Sequence, residues 1–278
     1  MPSQTALTDR ESLARHRGRA ERDGGFLQAA VRTEIQERLA EVNRAFTTPA
    51  VVTAFPAPWR TLLPHAKLLD DRETLPLAEA AHDLVIHALA LHWANDPVGQ
   101  LIQCRRALRP DGLLIAALFG GRTLQELRAA LAEAEAQLRG GLSPRVAPMG
   151  EIRDLGALLQ RAGLALPVAD SFRITAEYAS LPALAQDLRA MGETNALAAR
   201  DRRMPPKRLF ADAEAVYRRE YGTREGRLPA TFEVICLTGW AADASQPKPL
   251  RPGSAAARLA DALGTEERPA GDPTPRHD

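Results

Sequence analysis

The residues best able to do chemistry are carboxylates, imidazoles and a few arginines. Asp70 and Asp71 stand side by side after a short apolar run at 66–69, where acids either serve a ligand or solvate a turn. His87 lies inside a longer apolar run at 83–91, which His92 and Trp93 end. Histidine titrates near neutral pH without help, yet inside an apolar strand it is more often a satisfied core group than a base. In open α/β sheets ligands sit outside the carboxyl ends of the strands, so His92 and Trp93 rank above His87, although Trp93 also suits a core. Asn95-Asp96-Pro97 reads as a helix start rather than a catalytic pair. Arg145, in a Ser-Pro-Arg-Val loop, suits an anionic substrate or partner, with a plain surface arginine as the bland alternative. Thr194, Asn195 and Arg227 have the same standing, and Tyr178 and Tyr221 fit packing. No Ser-His-Asp order, phosphate-binding loop, zinc-ligand spacing or basic-aromatic alternation is present. No metal is expected, and no catalytic residue can be named.

The elements that must position these groups follow from periodicity. The run at 83–91 is unbroken, as in a strand covered on both faces of a parallel sheet. Apolar residues at 98–108 fall at helical spacing, with Arg105 and Arg106 near the end, where cations suit the helix dipole. Arg109-Pro-Asp-Gly predicts a turn and 113–119 a second strand. Strand, helix, strand makes a right-handed βαβ crossover. Upstream, 9–22 is densely charged, a solvated helix or an arm; 26–46 is an amphipathic helix with a solvated charged face; 50–54 and 66–71 are short strands. Pro49, Pro56 and Pro58 stop regular structure between them, apart from one or two helical turns at 58–63. Downstream, Thr123 and Glu126 form a capping-box pattern for a helix closed by Gly140 and Gly141. Helices at 152–163, 180–191 and 206–221 and strands at 168–178 and 230–240 follow. The expected class is α/β, mainly parallel, with an antiparallel edge from the last strands.

Composition is that of a soluble globular chain. In 278 residues, 36 Lys and Arg meet 35 Asp and Glu, a net charge of +1, so no global field favours nucleic acid or a membrane surface. Two cysteines, Cys104 and Cys236, lie far apart in apolar patterns and read as buried free thiols. No apolar run is long enough to span a bilayer. The N-terminus has no apolar core for a secretory signal and too many acids for a transit peptide. A cytoplasmic, reducing compartment is expected. Residues up to about 9 and the proline-rich stretch after 241 are expected to be largely disordered, with 255–263 as one further helical candidate.

The stretch from Leu75 to Gly112 resembles the second half of a class I, S-adenosylmethionine-dependent methyltransferase. The residues that carry the likeness are Leu75-Pro-Leu-Ala through Asp83-Leu-Val-Ile, then Asp96-Pro, then Arg105-Arg-Ala-Leu-Arg-Pro-Asp-Gly. The N-terminal lead, Gly140-Gly-Leu-Ser-Pro-Arg, Asp187-Leu-Arg-Ala-Met-Gly-Glu-Thr-Asn and Gly226-Arg-Leu-Pro-Ala-Thr-Phe narrow it. They are similar to the methyltransferase-like assembly factors of respiratory complex I and their bacterial relatives. These are in turn similar to the malonyl-carrier methyltransferases of biotin synthesis. The resemblance implies a Rossmann-like class I methyltransferase fold over 26–241, with 1–25 as a charged lead and 242–278 as a tail. It implies S-adenosylmethionine as cofactor, with Asp70, Asp71, His87, Leu89, His92 and Trp93 at its site and Arg145, Asn195 and Arg227 toward substrate or partner.

One departure stands out. The family's cofactor rests on a glycine-rich turn after the first strand, where backbone must approach the ligand closely. The equivalent stretch here, Val51-Val-Thr-Ala-Phe-Pro-Ala-Pro-Trp, has neither glycine nor acid. Phe55, Pro56 and Trp59 are expected to fill cofactor space, and the first half of the fold looks trimmed. Asp70 or Asp71 matches the family's ribose-binding acid. The function expected is methyl transfer to an unknown acceptor, a protein subunit of a respiratory complex among the candidates. The alternatives are a catalytically silent assembly factor or arginine hydroxylation on the same scaffold.

Overall fold

The computed structural model describes residues 6–247. The described residues up to 243 form one compact unit. The expectations for 1–5 and for the chain beyond 247, including the helical candidate at 255–263, lie outside the described residues.

Among the described residues six strands make one sheet: β1 (Pro49–Thr53), β2 (Lys67–Leu69), β3 (His82–Ala88), β4 (Leu108–Phe119), β5 (Ala165–Tyr178) and β6 (Leu228–Trp240), in the order β2-β1-β3-β4-β6-β5. β2, β1, β3 and β4 are parallel; β6 and β5 add an antiparallel edge. The unbroken apolar pattern of β3 and β4 has a simple cause. Leu84, Ile86, Leu113 and Ile115 face one core, and Val85, Leu114 and Ala116 face the other. Alternate residues of a strand point to opposite faces, so a strand covered twice must be apolar throughout.

Helices α2 (Gly25–Val42), α5 (Gln125–Arg139), α7 (Leu181–Ala190) and α8 (Lys207–Tyr221) supply the first core with Leu27, Leu131, Leu184 and Tyr217. Helices α4 (Pro97–Ala107) and α6 (Ile152–Arg161) supply the second with Leu101, Cys104 and Leu159. Asp96 caps α4 by accepting from the Gly99 N–H, and Pro97 takes the first turn, where a missing N–H costs nothing. α4 is the β3–β4 crossover. Between β1 and β2 there is only α3 (Ala57–Leu62), and residues 70–81 join β2 to β3 without a helix. The first half of the fold is trimmed, as expected.

Four local expectations are corrected. Thr123 and Glu126 form no capping box: the Thr123 hydroxyl binds the Glu233 backbone, and Glu126 accepts from Thr231. β6 runs beside the helix start and takes both side chains. Arg109-Pro-Asp-Gly is no free turn but the irregular opening of β4, where the register with β3 shifts and Asp111 sits at φ 57°. Thr8 and Asp9 are ordered: Thr8 bridges Leu197, and Asp9 caps the first helix, α1 (Arg10–Arg17). The charged face of α2 is not only solvated, since Arg38 reaches Asp170 on β5 at 2.5 and 2.8 Å.

Candidate functional site

The carboxyl ends of the four parallel strands lie along one edge of the sheet, and that edge divides into two regions. The first lies beyond β1 and β2. Asp71 follows β2 and is buried. Arg17 Nη1 donates to both its oxygens, at 2.6 and 2.7 Å, and Arg10 Nη1 donates to Oδ2 at 3.2 Å. Arg10 Nη2 also donates to the Asp71 carbonyl. Burial alone would raise the Asp71 carboxyl, but Arg17, and then Arg10, hold it below the usual carboxylate range. Asp70 points outward, and Arg72 donates to it at 3.2 Å.

Beyond β1, Thr53 Oγ1 accepts from the Phe55 N–H and turns the chain. Phe55 is buried, and Trp59 behind it is fully so. Gly24 and Gly192 press on the Phe55 ring: a Cβ at Gly24 would meet it at 2.7 Å, and one at Gly192 at 3.2 Å. Both hold positive φ, so glycine is required twice over. The family's cofactor needs a glycine turn and a free acid here. This chain offers a buried phenylalanine and an acid bound to two arginines, so these residues do not fit the cofactor as the family holds it.

The second region lies beyond β3 and β4. β3 ends at Ala88, and Leu89 (φ 44°) turns the chain into a short 3₁₀ turn, Leu91–Trp93. There a cavity of about 270 Å³ opens. Trp93, Phe119, Leu188 and Phe232 give it apolar walls; Arg145, Glu193 and Asn195 give it polar ones. The Trp93 indole donates to Glu193 at 2.8 Å, and His92 Nε2 lies 3.3 Å from the same carboxylate oxygen. The His92 ring packs on Phe119, centroids 4.6 Å apart. Arg145 forks onto Glu135 at 2.5 and 3.2 Å. Burial would raise the Glu135 carboxyl, but Arg145 and Ser143 hold it below its ordinary value. Asn195 donates to the Pro144 carbonyl at 2.8 Å, tying one cavity wall to the other.

Four candidate residues singled out from sequence therefore meet in one cavity: Trp93, Arg145, Thr194 and Asn195. Asp70 and Asp71 border the other region. His87 and Leu89 are core groups. His87 Nε2 pairs with Gln100 Oε1 at 2.7 Å, and Gln100 in turn donates to the Arg72 carbonyl. Burial drives the His87 imidazole down to about 4, so it stays neutral at pH 7. Arg227 lies apart from the cavity, donating to the Glu177 carbonyl beside the β5–β6 pairing. Sequence reasoning missed Glu193; its one signal was its place in the Met-Gly-Glu-Thr-Asn segment. Cys104 and Cys236 are free and buried, their thiols pushed up to about 12 by burial. Among the described residues, no group of three or more His, Cys, Asp or Glu could hold a metal ion.

A methyltransferase-domain family model matches residues 28–116, which hold β1 to β3, α4 and most of β4. The arginine-hydroxylase NDUFAF5 of Mus musculus is 37% identical over 233 residues, covering 82% of this chain and 68% of that protein. The chain belongs to the class I methyltransferase family, in the NDUFAF5 subgroup. The Danio rerio arginine-hydroxylase NDUFAF5 is 36% identical over 83% of this chain and 72% of its own length. The malonyl-[acyl-carrier protein] O-methyltransferase of Laribacter hongkongensis is 40% identical over 61% of this chain, which spans about half of that enzyme (54%). As a class I methyltransferase-like protein, the chain comes from a family that uses S-adenosylmethionine. Among the described residues no helix is long and apolar enough to cross a membrane.

Proposed function

We propose that this methyltransferase-like chain works on a protein acceptor at the cavity beyond β3 and β4. One contrast carries the reading: the cofactor positions beyond β1 and β2 are taken by Phe55 and by the Asp71–arginine cluster, while the neighbouring cavity is open. Its aromatic and aliphatic walls suit the stem of a long side chain, and the Glu193 carboxylate suits a cationic end. The mouse relative's name, an arginine hydroxylase, fits such an acceptor, and a respiratory-complex subunit is the natural class to test. The charged lead of residues 1–25 then belongs functionally with the domain at 26–241, because Arg10 and Arg17 close the first region. The test is mass spectrometry of respiratory-complex subunits with and without this protein, beside a pull-down on the full chain. One added oxygen on an arginine supports hydroxylation, and recovery of subunits with unchanged mass supports a silent assembly factor. Unchanged mass with no subunit recovered sinks the reading.

Methyl transfer with bound S-adenosylmethionine is the second reading. Family kinship favours it, together with the outward carboxylate of Asp70, where ribose hydroxyls would replace the exposed pairing with Arg72. Calorimetric titration with S-adenosylmethionine decides between the two. Micromolar binding, about −8 kcal/mol, favours methyl transfer; absence of heat from folded protein at several temperatures removes it.

A further inference from the structure

The two edges of the sheet are finished differently. β2, at one edge, is three residues long and carries an exposed lysine, Lys67. Short strands and lysines are how proteins blunt an open edge. β5, at the other edge, pairs with β6 without a break from Val168 to Tyr178. That stretch has no lysine, no proline and no bulge. The direction of its main-chain groups follows from β6. The Thr231 and Glu233 carbonyls turn away from β5, to the N–H groups of Leu124 and Gly120. Thr175 lies opposite Thr231, and Arg173 opposite Glu233. Opposed residues of an antiparallel pair either exchange both bonds or both turn away. Arg173, Thr175 and Glu177 therefore point their N–H and C=O groups out of the sheet, and no strand lies beyond them among the described residues. The Glu177 carbonyl accepts from Arg227 at 2.7 Å and keeps a second lone pair.

The side chains along this edge say what fits it. Phe172, Ile174, Ala176 and Tyr178 pack toward the first core but are only partly buried. Arg173, Thr175 and Glu177 are exposed on the opposite face. Neither Arg173 nor Glu177 has an ion-pair partner among the described residues. Four strand positions separate them by about 13 Å, too far to pair with each other. We propose that β5 pairs antiparallel with β5 of a second copy of this chain, about a two-fold axis through Thr175. That register sets Arg173 opposite Glu177 of the second copy, and Glu177 opposite its Arg173. On the other face Phe172 meets Tyr178 of the second copy, and Ile174 meets its Ala176. Both lone charges gain a partner, and the half-covered apolar side chains close over the seam. Thr175 exchanges main-chain bonds with its own copy, as an isologous contact requires. A two-fold axis through Arg173 would instead set arginine against arginine. The surface is separate from the acceptor cavity and does not rest on the function proposed there.

The test is sedimentation equilibrium of the full chain at low ionic strength, where exposed charge pairs act most strongly. One strand seam is a small interface, so a dimer with a Kd on the order of 10 μM is expected. Arg173→Glu sets acid against acid at both crossing pairs and should weaken the dimer about tenfold or more; Glu177→Arg sets base against base and should do the same. Mixed one to one, the two variants should associate with each other at close to the parent affinity, because every crossing pair is again opposite in charge. Thr175→Pro removes the outward N–H on the axis, spares the ladder to β6, and should abolish the dimer. All three side chains are exposed, so the variants should fold. A monomer at every concentration up to about 200 μM would leave the edge to the chain beyond 247 or to a strand of another protein, and would overturn the proposal. So would the parent Kd in both charge variants, or a mixture no tighter than its parts.

Discussion

The two regions of the strand edge begin alike and end differently. β1 and β3 are neighbouring parallel strands, both largely buried, each leading into coil at its carboxyl end. Beyond β1 the chain folds Phe55 back beneath Gly24 and Gly192 and fills the space next to the strand, leaving only a groove between Asp70, Asp71 and α1. Beyond β3 it turns outward through Leu89, and Trp93 becomes a cavity wall held by Glu193. One segment serves both outcomes. Gly192 presses on Phe55 and Arg17, its neighbour Glu193 supports His92 and Trp93, and Asn195 ties down the Pro144 loop. The carboxyl edge of a parallel sheet is thus a place where a ligand can bind, and the loops and helices that arrive from elsewhere decide whether space remains.

The comparison is most severely tested at Arg17. Arg17→Ala leaves Asp71 buried with Arg10 as its nearest remaining cation. The expected loss is about 3 kcal/mol, at the low end for breaking a buried pair because Arg10 stays. Urea unfolding measures it; a loss under about 1 kcal/mol would mean that Asp71 is solvated and the first region is not closed.

A similar effect is expected from pH, through His87 between the two regions. Its folded pKa of about 4 lies below the ordinary 6.5. The unfolded chain therefore takes up a proton that the folded one refuses. Stability is complete above about pH 6.5 and declines as pH falls from there toward 4, by about 3 kcal/mol in all. The depressed carboxyls of Asp71 and Asp83 add to the loss at lower pH. Denaturant unfolding across that window should show the slope, and His87→Gln should flatten it; an unchanged slope in that variant would assign it to other groups.

The smallest change in stability is expected from filling each region in turn. Ala185 is half-buried on α7 at the cavity, and Ala14 is exposed on α1 at the groove. Ala185→Phe and Ala14→Phe should each alter stability by no more than about 0.5 kcal/mol. Only Ala185→Phe should abolish capture of the acceptor in the pull-down. Equal loss in both variants would erase the functional distinction between the regions.

Much of the fold was legible from local pattern. The βαβ unit, the antiparallel edge and the trimmed first half follow from runs of apolar residues, from Asp96-Pro97 and from missing glycines. The misreadings share a cause. Thr123 and Glu126 satisfy every local rule for a capping box, but β6, remote in sequence, competes for both side chains and wins. Arg17 looked like one charge among many in a solvated arm, because its partner Asp71 lies 54 residues away. Glu193 carried no signal beyond its place in the Met-Gly-Glu-Thr-Asn segment, since what distinguishes it is two ring nitrogens that the 3₁₀ turn brings to its carboxylate.

By itself, the sequence determined the order of strands and helices, the two-faced core and the loss of the family's glycine turn. These depend on periodicity and on single-residue backbone freedom, which act over a few positions. Only the tertiary structure decided that Asp71 is bound by arginines, that Phe55 fills the first region, and that Trp93, Glu193, Arg145 and Asn195 share a cavity. Those outcomes are set by which distant side chains come within about 3 Å in a low-dielectric interior, where charge pairing and steric fit outweigh local preference.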